Sequence, residues 1–254
     1  MLLFGSGILF AVPTADATGA AVTNPTPVQF GTLQDCSLDI SFETKQLYGA
    51  YQFPISAGRG KGKIEGKAKN AHINAGILSD LLLGNPNSAG IKDIYPNFAA
   101  AVPSSTPWQI TIAPPSSGTF VQDMGVLDAT TGLAMKRVAS GPTTGQYSVS
   151  AGGVYTFATA DANKAVLISY EYSATSTAGP KYVTLTNQLM GYAPTFKAGL
   201  DLSFGGKNAT VVLTQCISTK ISLPFKNDDY AVPDFGFTAM ADAAGNIGYI
   251  ALSE

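Results

Sequence analysis

Few side chains in this sequence are of a type and spacing that could do chemistry. The densest set lies between residues 58 and 69. Arg59, Lys61, Lys63, Glu65, Lys67 and Lys69 hold the odd positions there, and only Gly, Ile64 and Ala68 hold the even ones. Glycine followed by lysine invites a phosphate-binding loop. That motif needs a glycine five residues before the Gly-Lys pair and a Ser or Thr directly after it. Before Gly66-Lys67 the first position is Lys61, and Ala68 follows the pair, so the motif fails at two fixed points. A nucleic-acid groove would need a basic excess and aromatic stacking platforms. No aromatic residue interleaves with these lysines, and 15 basic against 17 acidic side chains give a net charge of −2.

The remaining candidates are isolated. His72 is the sole histidine; one histidine cannot build a multi-histidine metal site, and no nucleophile-elbow motif accompanies it. Asp228, Asp229 and Asp234 form an acidic cluster without the spaced ligands of a calcium loop. Two cysteines, Cys36 and Cys216, cannot make a structural zinc site. Each sits inside an alternating run, where a buried free thiol is commoner than a disulfide. The expectation is therefore a protein that is not an enzyme and carries no cofactor and no metal.

The elements that must position these residues are strands. Between 33 and 45, Cys36, Leu38, Ile40 and Phe42 fall on one face and Asp35, Ser37, Asp39, Ser41 and Glu43 on the other, the period of a half-buried strand. The 58–69 run has the same period, with one charged and one nearly bare face. Bare faces suit close packing under bulky neighbours, and the two stripes of opposite charge suit pairing in one sheet. Between them, 47–54 reads as an aromatic loop. Residues 74–83 read as a helix with Ile77, Leu78, Leu81 and Leu82 on one face, ended by Gly84 and Pro86. Residues 93–106 lose all periodicity and read as a boundary. Turn signals and short strands follow, at 108–112, 154–157 and 165–172. Long alternation resumes at 196–204, turns at Gly205-Gly206 into 208–218, and continues through 220–223, 234–242 and 248–252.

This pattern predicts a mainly all-β chain with one short helix. A β-sandwich core is split between 1–95 and 181–254, and a β subdomain is inserted at 96–180. At 254 residues such a chain buries roughly 70–75% of its unfolded surface without disulfide or metal. Charged residues make up 13%, about half the usual share, which suits a subunit whose faces are covered in an assembly. The apolar start, through Pro13, lacks a positive n-region and is broken by Gly5 and Gly7. It reads as an N-terminal arm of a protein made in the cytoplasm. No stretch reaches the length of a membrane span.

Several stretches resemble the major tail-tube proteins of long-tailed, siphovirus-like bacteriophages. These are Leu3-Phe-Gly-Ser-Gly-Ile-Leu9, Phe30-Gly-Thr-Leu-Gln-Asp-Cys-Ser-Leu-Asp-Ile-Ser-Phe-Glu-Thr-Lys-Gln-Leu-Tyr-Gly49 and, most specifically, Gln52-Phe-Pro-Ile-Ser-Ala-Gly-Arg-Gly-Lys-Gly-Lys-Ile-Glu-Gly-Lys-Ala-Lys69. Lys220-Ile-Ser-Leu-Pro-Phe-Lys-Asn-Asp-Asp-Tyr230 and Phe235-Gly-Phe-Thr-Ala-Met-Ala-Asp242 are similar too. Within the insert, residues 154–170 resemble β modules of phage structural proteins.

The resemblance implies a tail-tube-type β-sandwich that self-assembles into stacked, hexameric rings around a lumen for genome ejection. It implies a virion structural protein of the tail, assembled in the host bacterial cytoplasm. Its partners would be copies of itself, the tape-measure, tail-terminator and distal-tail proteins, and DNA passing without specific binding. It makes Asp35, Asp39 and Glu43 candidates for an acidic lumen lining. Leu47, Tyr48, Tyr51, Phe53, Arg59, Lys61, Lys63, Lys67 and Lys69 become candidates for subunit and ring contacts, the lysine stripe facing protein. The N-terminal arm would bridge to a neighbour and the insert would decorate the outside. The alternative is another virion structural protein, such as a decoration or terminator protein, or a cell- or glycan-binding adhesin module, for which Trp108 and the insert's tyrosines would serve.

Overall fold

The computed structural model describes residues 4, 5, 7–72, 75–176 and 179–253. Leu3 and Ser6 of the N-terminal motif and Asn74 of the expected helix lie outside them. Strands are 54% of the chain and helical residues 6%, so the fold is all-β. In order the strands are β1 (Ile8–Ala15), β2 (Val28–Phe30), β3 (Leu33–Tyr48), β4 (Pro54–Asn70), β5 (Ser88–Ala89), β6 (Ile91–Ala101), β7 (Gln109–Thr111), β8 (Thr119–Asp128) and β9 (Lys136–Arg137). There follow β10 (Gln146–Val149), β11 (Val154–Phe157), β12 (Ala165–Ala174), β13 (Lys181–Tyr182), β14 (Thr195–Phe204), β15 (Lys207–Ser222), β16 (Asp234–Met240) and β17 (Gly248–Leu252). Helix α1 (Ile77–Leu83) falls between β4 and β5. Two compact units result: Met1–Asn87 with Val183–Glu254, and Ser88–Tyr182.

The first unit is built on one antiparallel sheet in the order β2-β1-β14-β15-β16-β4-β3, with β17 also on β15. Alternation sets its core. Leu9 and Ala11 of β1, Phe30 of β2, Phe196 of β14, Cys216 of β15, and Phe235 and Phe237 of β16 all point inward. The rings of Phe30 and Phe235 lie 5.5 Å apart although their strands are four places apart in the sheet. The sheet therefore rolls over on itself and makes a sandwich-like core. Helix α1 plugs this core with Ile77 and Leu81, and Ser218 on β15 bonds the Leu81 carbonyl. Its turns are wide, and it ends at Gly84, whose φ of 63° places it in the left-handed region. A Cβ there would also meet the Ala17 backbone nitrogen at 2.5 Å, so glycine is required twice over.

The bare face of β4 has the use its composition suggests. A Cβ on Gly66 would fall inside the Phe237 ring, and one on Gly62 would lie 2.9 Å from Phe42 Cε1. Glycine at these positions lets aromatic rings lie directly on the strand.

The structure differs from the sequence reading in three places. The apolar start is not an arm: from Ile8 it is β1, an interior strand between β2 and β14. Pro13 is tolerated because the ladder shifts register between Pro13 and Ala15. Residues 47–54 are not all loop, since β3 runs to Tyr48 and β4 starts at Pro54. Residues 93–106 are not a boundary. Most belong to β6, which pairs along β12 through Ala99–Ala101 and Ile91–Tyr95, and the break between units falls at Asn87/Ser88.

The second unit packs the sheet β6-β12-β8 against the sheet β7-β11-β10-β9. Its core is rich in tyrosine. Asp123, almost fully buried, accepts the hydroxyls of Tyr147 and Tyr155 at 2.8 Å each and the Gly125 N–H at 3.1 Å. Arg137 lies 3.7 Å away and balances its charge. Asp161, also buried, pairs with Lys164 at 2.9 Å and accepts the Gly145 N–H. The short pair β5–β13 brings the two ends of the unit side by side, with Ala89 opposite Lys181 and Ser88 opposite Tyr182.

Two outcomes follow from this packing. Gly66→Ala should cost about 1–3 kcal/mol by overpacking against Phe237, measured by denaturant unfolding, while Gly58→Ala, with open space at its Cβ, should be near neutral. Burial, reinforced by the Asp123 carboxylate, raises the pKa of both Tyr147 and Tyr155 well above the ordinary tyrosine value. The folded unit keeps protons that the unfolded chain releases above about pH 10, so its stability is complete below that pH and falls as pH rises through it. Thermal unfolding between pH 8 and 11 should show the decline, and Tyr147→Phe with Tyr155→Phe should flatten it.

Candidate functional site

Strand β16 covers β4 only from Ile64 to Lys69. Beyond Ile64 the strands β3 and β4 continue alone as a two-stranded ribbon to the turn at 49–53. At about 3.4 Å per residue, the stretch from Ile40 to Tyr48 adds roughly 25–30 Å. No strand lies against the outer edge of β3, and 54–63 of β4 has only β3 beside it, among the described residues. The cause is local to β16. After Met240, residues 241–247 leave the ladder in a loop in which Asp242 Oδ1 accepts the N–H groups of Ala244 and Asn246 at 2.9 Å. The chain then rejoins β15 as β17, which among the described residues pairs with no strand but β15.

Directly paired residues share a face of the ribbon. One face sets Asp35 against Lys69, Ser37 against Lys67, Asp39 against Glu65 and Ser41 against Lys63. Lys69 Nζ lies 3.7 Å from Asp35 and Lys63 Nζ 2.9 Å from Glu65. Three carboxylates thus meet three ammonium groups on one surface. The expected acidic lining (Asp35, Asp39) and the expected lysine contact stripe (Lys63, Lys67, Lys69) cannot face different surroundings, as the sequence reading had them. Glu43 sits where the register shifts between Phe42 and Thr44, opposite Gly60 and Lys61. This bulge in β4 moves Arg59 to the other face, where its guanidinium lies 4.5 Å over the Phe42 ring.

The second face pairs Cys36 with Ala68, Leu38 with Gly66, Ile40 with Ile64 and Phe42 with Gly62. Cys36 and Leu38 pack on the core. Ile40 and Phe42, expected to be buried with them, are half exposed because the sheet behind them has ended. The tip is more open still: Tyr51 is 84% and Phe53 81% exposed, with Leu47, Tyr48 and Ile55 exposed beside them. Residues 46–58 contain no charge. Every residue named from sequence as a lining or contact candidate is therefore on the β3–β4 hairpin, with Asp35, Lys67 and Lys69 at its root, where β16 still covers β4. Sequence reasoning missed the exposure of Ile40, Phe42 and Ile55.

It also missed a second uncharged stretch, 183–194, which leads into β14. Met190 is fully exposed, Leu185 and Leu189 largely so, and Tyr192 about half. The stretch is held against the end of α1. Gln188 Nε2 donates to the Leu83 carbonyl at 3.1 Å and Asn85 Nδ2 to Thr186 Oγ1 at 2.9 Å. The signal in sequence was of the same kind as at the ribbon tip: an uncharged stretch carrying several large apolar side chains, here Leu185, Leu189, Met190 and Tyr192.

The chemical candidates are structural. Burial pushes the Cys36 thiol up to about 11 and the Cys216 thiol to about 12, and both are free. Neither is therefore poised as a thiolate. His72 Nδ1 lies 2.8 Å from Thr32 Oγ1, which donates to Asn70 Oδ1, while Asn70 Nδ2 donates to the His72 carbonyl; this network ties the start of β3 to the end of β4. Among the described residues no group of three or more His, Cys, Asp or Glu side chains is placed to hold a metal ion. No helix among them is long and apolar enough to cross a membrane. No protein-family model matches the chain, and no curated protein matches it in sequence.

The ribbon's isolation has a direct readout. In dispersed protein the amides of 40–57 should exchange with deuterium far faster than those of β14 and the middle of β15, which have partners on both sides.

Proposed function

We propose that this chain is a structural subunit that assembles with copies of itself through the β3–β4 ribbon, as the subunit of stacked rings in a phage tail tube. The observation that carries this reading is a ribbon with two open edges and exposed apolar side chains. An unpaired edge is a template for another strand. If β3 of one copy pairs with 54–63 of the next, each copy uses two different edges, and a head-to-tail contact that closes by rotation makes a ring. Full closure leaves no edge open. The hexameric number, the tape-measure, terminator and distal-tail partners and the location in a virion rest on the sequence resemblance alone.

The lumen follows from the faces of the ribbon. The polar face, with charges of both signs in equal number from residues 35–41 and 63–69, is the one to line a channel. DNA would find no basic excess to grip there. The apolar face, with Ile40 and Phe42, would turn toward the body of the ring. The adhesin alternative draws less support, because Trp108 packs against the insert's core and Tyr147, Tyr155, Tyr170 and Tyr172 are buried in it. These rings are not free to stack on a sugar.

Electron microscopy of the purified protein should reveal rings or tubes, and the amides of 40–57 should become protected on assembly. A monomer at high concentration in sedimentation would sink the proposal. Replacing 88–182 by a short Gly-Ser turn should leave assembly intact, since β5–β13 brings the ends of that unit together.

A further inference from the structure

Two surfaces of the first unit are both apolar and both free of charge: the ribbon tip, 46–58, and the patch at 183–194. Exposed apolar patches of this kind mark sites of association. Their positions are fixed by strand register. Thr195, the first residue of β14, stands opposite Ile217, which stands opposite Thr238, which stands opposite Glu65, which faces Asp39. From that level β14 runs toward the tip end, so the stretch before Thr195 lies on the other side. Strand β3 continues nine residues past Asp39 to Tyr48, about 30 Å of strand. Tip and patch therefore lie toward opposite ends of the strand direction.

Resting on the self-assembly reading, we infer that the tip of one copy seats on the 183–194 patch of the next, joining copies end to end. The occupant is a second copy for three reasons. The two surfaces match in character, each offering exposed large side chains with no charge to desolvate. They are different surfaces at opposite ends, so the contact is heterologous and repeats along one direction. The patch is also prepared for docking, because hydrogen bonds through the Gln188 and Thr186 side chains tie it to Leu83 and Asn85 at the end of α1 and lower the ordering cost of binding. Tyr51 and Phe53 supply aromatic anchors, and Leu189, Met190 and Tyr192 supply the surface that receives them.

The contact is open to cross-linking. Tyr51→Cys and Met190→Cys alter two exposed side chains, and the native thiols, one buried and one partly buried, serve as the background in wild-type protein. Under mild oxidation of assembled protein, a chain with both substitutions should give a ladder of covalent multimers, and an equal mixture of the two single variants should give dimers. Either variant alone should stay at the wild-type level. Particles without a ladder overturn the tip-to-patch contact and leave the assembly reading standing. Dimers from Tyr51→Cys alone, as abundant as from the mixture, also overturn it, since they mean that tips meet tips. Absence of both particles and ladder overturns the contact together with the assembly reading.

Discussion

Among the described residues, no strand pairs with the outer edge of β3, an element of sixteen residues. Backbone polar groups need partners wherever water is excluded, and much of the structure is arranged around this open edge. The sheet behind the ribbon stops because β16 breaks at Met240. The composition of 46–58 dispenses with the charges by which exposed edges are usually blunted. The bulge at Glu43 turns Arg59 onto Phe42 and not into the charged row.

Within the first unit, glycine and phenylalanine divide the work. Phe30, Phe196, Phe235 and Phe237 form a chain of ring contacts with centroids 5.5–6.0 Å apart. Gly66 gives up its side chain so that Phe237 can lie on β4. This contact fixes the root of the ribbon: β16 grips β4 through Ile64–Lys69, directly beside the free stretch 54–63. The second unit solves its packing differently: of its buried tyrosines, Tyr147 and Tyr155 direct their hydroxyls onto Asp123, so these two phenols share a charged acceptor inside the core.

Much of this was legible in the sequence, and the failures share one cause. Strict alternation identified β3, β4, β14, β15 and β17, and Gly205-Gly206 identified the hairpin between β14 and β15. The apolar face of 74–83 identified α1 from its buried Ile77 and Leu81. Period two says which side chains share a face but not where the neighbouring strand ends. Ile40 and Phe42 therefore read as core, although nothing covers them. The same pattern cannot announce a bulge, so Arg59 was placed with the lysines it leaves. Acidic and basic rows read as two surfaces because pairing puts them on one face only after the register is known. Residues 93–106 read as a boundary because Pro96, Asn97 and the run of alanines dilute the alternation of β6. The residues singled out as lining and contact candidates do share one hairpin, since charge and aromatic content mark it without any knowledge of register.

The insertion of the second unit has a consequence for how the chain is made. Strand β1 lies between β2 and β14, and β4 needs β16, so the first half of the sheet cannot be completed until the last quarter of the chain exists. A ribosome adding about 5–20 residues per second reaches Thr195 roughly 6–25 s after Asn70. Throughout that interval the hairpin with the exposed apolar tip is synthesised but its root has no sheet to hold it. The second unit, continuous in sequence, can fold during the same wait. The order of translation thus separates the appearance of the exposed apolar tip from the appearance of the scaffold that aims it; under the proposed self-assembly, association would begin only once that scaffold exists.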